Sequence, residues 1–263
     1  MRRLESTRYT VIFATIVCVV CALFVSVAAV SLQPRQAANA RLYMEKNILV
    51  AAGLVEAGQD VSVKQLDEFF ATRIKARLVD FETGELVPEG QMDARQYDQR
   101  RARNDPAASR VAPPNTAGIG RMPKYGVVYF VTKGDEVDQV IIAVEGLGMW
   151  GKIYGFLSLD RDANTVRGLT YYDQKETPGL GGEIGNPAWL KLWEGRKGYD
   201  DQWHARITVI KGQAGPPETD PLRVDGLSGA TITGNAVTRL MQFWLSDKGY
   251  GRFLEKFRQG AMT

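Results

Sequence analysis

Between Arg8 and Arg35 the chain carries no charged side chain, and this stretch constrains the fold more than any other. The run YTVIFATIVCVVCALFVSVAAVSL, residues 9–32, is dominated by Val, Ile, Leu, Phe and Ala. A helix rises about 1.5 Å per residue, so roughly 20 such residues cross the hydrocarbon layer and the run is long enough to span a membrane once. Ser26-Val27-Ala28 offers the small residues of a cleavage site, but the run exceeds the roughly 7–15 apolar residues of a signal-peptide core, which favours a retained anchor. Arg2, Arg3 and Arg8 precede the span, while Arg35 and Arg41 follow it. That bias sets the expected topology: a cytoplasmic tail over 1–8, a transmembrane helix over 9–32, a stalk helix over 33–60 and an external domain over 61–263. Cys18 and Cys21 share one face of the span and read as small apolar packing residues, or as metal ligands if a partner chain supplies the rest of the set.

The rest of the chain has the make-up of a folded domain, with 44% hydrophobic residues overall and a net charge of +3. No long basic run with interleaved aromatics is present, so nucleic acid is not an expected partner. With one histidine, His204, no His-rich zinc site is available, and that residue reads as a surface or satisfied side chain. No metal site and no catalytic side chain are assigned.

Helical spacing continues through ANARLYMEKNILVAAGLV and SVKQLDEFFATRIKARLV. ARLVDFETGELV then reads as two short strands about a turn, and Gln91 to Pro114 reads as a charged, Pro-rich surface excursion. GVVYFVT and QVIIAVEG flank Lys133-Gly134-Asp135 as a hairpin, and GKIYGFLSLD and TVRGLTYYD flank RDAN as another. A helix in NPAWLKLWEG, N-capped by Asn186 with Pro187 in its first turn, precedes a further strand in ARITVIKG. The expected class is α+β: one N-terminal transmembrane helix, then a mostly antiparallel sheet flanked by helices.

The stretch VDGLSGATITGNAV opens a helix whose apolar stripe is Ala236, Val237, Leu240, Met241 and Trp244. Ser228, Thr231 and Thr233 are N-cap candidates. A helix start presents unpaired N–H groups and the positive end of the dipole, and glycine before it permits close approach, so the place suits a phosphate, bound or esterified. Neither P-loop nor G-x-G-x-x-G spacing is present, and on spacing alone the stretch reads as a glycine-rich turn with a good cap.

Asp225-Gly226-Leu227-Ser228-Gly229-Ala230-Thr231 resembles the flavinylation motif of bacterial membrane redox complexes, in which the final threonine receives FMN through a phosphodiester made by a dedicated flavin transferase. GLTYYDQKETPGLGGEIGNPAW, from Gly168 to Trp189, resembles a second signature of the same FMN-binding domain. With the single span, the likeness is to the C-subunit family of sodium-translocating NADH:quinone oxidoreductases, and more weakly to the flavin subunits of Rnf-type complexes. It implies an electron relay carrying covalent FMN, seated in the bacterial inner membrane with its domain in the periplasm and partnered by the other subunits. Alone, such a chain has no expected activity. The reading from another class is a membrane-anchored binding or assembly module in which SGAT is only a helix cap.

By the same resemblance Thr231 supplies the ester oxygen, Ser228, Gly229 and Ala230 keep the approach small, and Asp225 and Gly226 complete the motif that the transferase recognises. In Glu176-Thr177-Pro178-Gly179-Leu180-Gly181 the glycines let the loop pass close to a flat ring, Leu180 offers an apolar face and Thr177 a hydrogen bond. Trp150, in GLGMWGKIYG, reads either as a core aromatic or as a ring that stacks on the flavin.

Overall fold

The computed structural model describes residues 7–134 and 136–260. Two compact units divide between Met44 and Glu45. Helix α1 (Thr7–Ala51) supplies the described part of the first unit and includes an 18-residue window of mean hydropathy 2.9, none of it buried. It is long and apolar enough to cross a membrane. Cys18 and Cys21 are free and exposed on it. Of the expected cytoplasmic tail, residues 1–6 lie outside the described residues. The expected stalk is shorter than the sequence suggests: the helix stops at Ala51, where Gly53 adopts a φ of 67° and the Gly53 and Leu54 N–H groups turn back onto the Val50 and Leu49 carbonyls. The second unit thus begins at Glu45, with the last turns of α1, rather than near residue 61.

In the second unit α2 (Val63–Thr72) starts at a capping box, Ser62 and Gln65 each accepting from the other's backbone N–H. Next come β1 (Ile74–Asp80), α3 (Gln99–Asn104), β2 (Ser109–Val111) and β3 (Arg121–Pro123). The two expected hairpins are β4 (Tyr125–Lys133) with β5 (Glu136–Leu147), and β6 (Lys152–Asp160) with β7 (Val166–Asp173). Asp135, in the first of the two turns, lies outside the described residues. Then follow α4 (Pro187–Lys191), β8 (Thr208–Val209), β9 (Arg223–Val224), α5 (Thr231–Leu245) and α6 (Gly251–Arg258). Asn186 caps α4 through the Ala188 N–H, with Pro187 at the first position.

The main sheet has the order β1-β4-β5-β6-β7, antiparallel throughout. Strand alternation gives it two buried faces. On one, Val128, Ile142, Leu157 and Leu169 form a row across four strands and share a core with Val237, Leu240, Met241 and Trp244 of α5. Trp244 is wholly buried and its indole N–H donates to the Glu145 carbonyl at 2.6 Å, which fixes α5 along β5. On the other face, Phe70 of α2 meets Tyr129 edge-on at 6.3 Å, and Tyr129 meets Phe156 at 6.0 Å. Gln139 and Thr170 there donate to the Ala52 and Asn47 carbonyls, binding the end of α1 to the sheet.

Three local expectations hold only in part, for identifiable reasons. The charged stretch 91–114 is mostly exposed or half-buried, as expected of a surface excursion, but it is not irregular throughout: it contains α3, whose Arg103 is buried against the Glu145 carboxylate and the Tyr154 hydroxyl. Burial there is tolerable because the guanidinium is both paired and hydrogen-bonded. The strand expected in ARITVIKG shrinks to Thr208–Val209, paired in parallel with Arg223–Val224 alone. The second strand expected after the ETG turn is only a bridge between Val79 and Leu86.

Candidate functional site

The site assembles from three segments that are far apart in sequence: the β5–β6 turn, the loop after β7 and the start of α5. Thr231 is the first residue of α5 and is exposed. The residue at the N-cap is Ala230, and no side chain caps the helix, so the N–H groups of its first turn have neither a helical nor a side-chain capping partner. The expected caps are thereby corrected. Residues two apart on a helix point about 200° apart, so Thr233 faces the interior while Thr231 faces solvent. Ser228 is exposed in the preceding turn. Gly229 is in the left-handed region at φ 69°, and a Cβ built on it would lie 2.9 Å from Leu180 Cδ2. The two motifs are therefore in contact.

Glu176 sits at the centre of this contact, 5% exposed. Its Oε1 accepts the Met149 and Trp150 N–H groups at 3.0 Å each, and its Oε2 accepts the Thr233 hydroxyl at 2.5 Å. Two glycines make room for it: a Cβ on Gly148 would lie 2.5 Å from Oε1, and one on Gly181 would lie 2.8 Å from Oε2 and 2.5 Å from Thr233 Oγ1. Gly181 opens a single 3₁₀ turn, Gly181–Gly185, whose approach is fixed by Gly179 at φ 75°.

Around this buried carboxylate the surface is apolar. Trp150 is 63% exposed and Leu180 45%, and Leu147, Met149 and Ile232 are exposed as well. Such exposure on three neighbouring segments calls for a ligand or partner. Trp150 is not a core aromatic. Thr177 is exposed in the same loop. Asp225 stands behind the motif: its Oδ1 accepts the Ala214 N–H at 2.9 Å and its carbonyl accepts the Trp189 indole N–H at 3.0 Å. Gly226 lies against the Ile210 carbonyl, where a side chain has no room. Among the described residues no group of three or more His, Cys, Asp or Glu could hold a metal ion. His204 is exposed, 3.6 Å from the Asp200 carboxylate.

A short network beside the site ties α3 to β5, β6 and β7. Burial disfavours the Arg103 charge, but the Glu145 carboxylate outweighs it and holds the guanidinium above its ordinary pKa. Arg100 lies over the Tyr154 ring at 3.7 Å and pairs with Asp173 at 2.8 Å.

Residues 148–246 match the family model of the FMN-binding domain, a stretch that runs from the β5–β6 turn to the end of α5 and takes in every segment of the site. The C subunit of the Na(+)-translocating NADH-quinone reductase of Vibrio anguillarum is 44% identical over 98% of this chain and 98% of its own length, and that of Pseudomonas aeruginosa 41% identical over 99% of each. The chain belongs to this C-subunit family. The crystal structure of NqrC from Shewanella oneidensis superposes with a TM-score of 0.76 at 30% identity, covering 84% of this chain and 99% of that one. Membership of the C-subunit family, part of an enzyme complex, agrees with the expected fold class of an apolar N-terminal helix followed by a mostly antiparallel sheet with helices.

Sequence reasoning does not find the partners of Glu176. On the sequence alone Thr233 reads as a cap, and Gly148 and Met149 carry no assigned role. One signal is available: the helical angle between Thr231 and Thr233 sends one of the two hydroxyls inward, where it needs an acceptor.

Proposed function

We propose that the chain is the flavin-carrying relay of a sodium-translocating NADH:quinone oxidoreductase, with FMN esterified to Thr231 through a phosphodiester. The observation that carries this reading is the placement of Thr231: an exposed residue at an uncapped helix start, two positions after a left-handed glycine that lies against Leu180 of the second motif loop. The residues fit the group. The first-turn N–H groups and the helix dipole face the phosphate, Gly229 and Ala230 leave room for it, and Ser228 lies at the approach. Trp150, Leu180 and Gly179, with Thr177 at the loop edge, offer apolar surface and one hydrogen bond to a flat ring. Asp225 and Gly226 hold the motif in the conformation that a flavin transferase reads. FMN held by these residues would supply the redox chemistry, a relay between a partner that receives electrons from NADH and one that delivers them to quinone. The chain's own side chains bind and orient; none is catalytic.

In this reading residues 9–32 cross the bacterial inner membrane once, residues 1–8 are cytoplasmic and the folded domain is periplasmic. One experiment tests both attachment and side. The full chain is co-expressed with a flavin transferase, either exported or kept in the cytoplasm, then denatured and digested for mass spectrometry. The expected result is a gain of FMN less one water on the Thr231 peptide, only with the exported transferase, and none in Thr231→Ala. An unmodified peptide, with the exported transferase active on a control, would return SGAT to a helix turn and favour the anchored binding module.

A further inference from the structure

We propose that Glu176 is a positioning residue, a three-way clamp whose carboxylate holds the Trp150 turn and the TPGLGG loop onto the first turn of α5, so that Trp150 is set beside the ring that Thr231 carries. The second half of this statement rests on the flavin reading above; the clamp itself does not. Glu176 belongs to the motif loop, yet it offers nothing to a ligand: Oε1 is taken by two backbone donors and Oε2 by Thr233. Trp150 is 63% exposed, in the four-residue turn between β5 and β6. Within its turn the Gly148 N–H closes onto the Gly151 carbonyl at 2.7 Å, and the Trp150 N–H goes to Glu176, outside the turn. Across one carboxylate, a 3.0 Å bond on one oxygen and a 2.5 Å bond on the other join that turn to Thr233, two residues after Thr231.

Reach rather than charge is what the clamp needs. Glutamine has the length of glutamate, and its amide oxygen still accepts from Met149 and Trp150 while its NH2 donates to Thr233. Aspartate keeps the charge but is one methylene short and cannot serve all three donors.

The test uses the full chain in two forms. In the flavin-free Thr231→Ala background, Glu176→Asp is expected to speed amide hydrogen exchange at Met149 and Trp150 by about tenfold or more, and Glu176→Gln by much less, with the β5 interior unchanged. In flavin-loaded protein, Glu176→Asp is expected to brighten flavin fluorescence as Trp150 leaves the ring, Trp150→Ala to brighten it at least as much, and the double variant to be no brighter than Trp150→Ala alone. Unchanged exchange in Glu176→Asp would overturn the clamp. Additive brightening would overturn its action through Trp150. Should Glu176→Asp not fold, Thr233→Val, which removes only the donor to Oε2, carries the same comparison. If wild type retains no flavin after denaturation, the attachment reading fails while the exchange result still decides the clamp.

Discussion

Single atoms decide the chemistry of the site, and Gly229 shows it best. Its φ of 69° costs a residue with a side chain about 1–2 kcal/mol. Gly179, at φ 75°, has the same backbone strain but open space around its Cβ position, whereas a Cβ on Gly229 would be 2.9 Å from Leu180. Gly179→Ala therefore isolates the strain and Gly229→Ala adds the displacement of Leu180. Both are expected to lower the denaturation free energy by about 1–2 kcal/mol, and Gly229→Ala to cut the fraction of protein that acquires flavin further than Gly179→Ala does. Equal attachment in the two variants would refute the Leu180 contact as part of the site. Only the helix start is legible from spacing, where SGAT reads as a glycine-rich turn; the role proposed for Thr231 comes from the resemblance. The helical angle between Thr231 and Thr233 shows that one of the two threonines points inward, but nothing local to TIT identifies its acceptor as a carboxylate from the loop after β7.

Among the elements, those with a regular period are readable and those fixed by long-range contacts are not. The hairpins β4–β5 and β6–β7 alternate, and α5 has a clear stripe, so each is legible nearly to its ends. Helix α3 is only Gln99–Asn104, too short for a period to emerge from a charged stretch, and long-range contacts place it: the buried Arg103–Glu145 ion pair, Arg100 on Asp173, and Gln99 accepting from the Val127 N–H. Removing one partner leaves the other charged and buried, so Arg103→Met is expected to destabilise the domain by about 3–5 kcal/mol, measured by urea unfolding. Replacing Arg103 and Glu145 together should restore most of the loss; a double variant as unstable as the single would mean that α3 packing, not the orphaned carboxylate, carries the cost. Strand β8 departs from expectation for the complementary reason: its β-branched run suits a strand, but only Arg223–Val224 lie alongside it before the chain turns toward Thr231.

Across the whole folded domain, the core between the sheet and α5 closes through tyrosines whose phenols are hidden. Tyr250 donates to the Val127 carbonyl at 3.0 Å and Tyr199 to the Leu245 carbonyl at 2.6 Å, tying the end of α5 and the loop after it into the core. Burial pushes the phenols of Tyr171, Tyr172, Tyr199 and Tyr250 well above the ordinary 10.0, and that of Tyr97 up to about 12. A group whose pKa is raised in the folded state stabilises fully below its unfolded pKa and loses that contribution as pH rises through the folded value. Stability is therefore expected to fall once the pH passes about 10, and to keep falling beyond the Tyr97 value near 12. Because a tyrosinate cannot donate to Val127 or Leu245, the chain unfolds to ionise these side chains rather than ionising in place. An alkaline titration followed by near-ultraviolet absorbance should show tyrosinate from these residues appearing with the loss of tertiary circular dichroism, in one cooperative step. A gradual rise centred at the ordinary value, with the fold intact, would mean that the phenols reach water and that the sheet is less sealed than its packing implies.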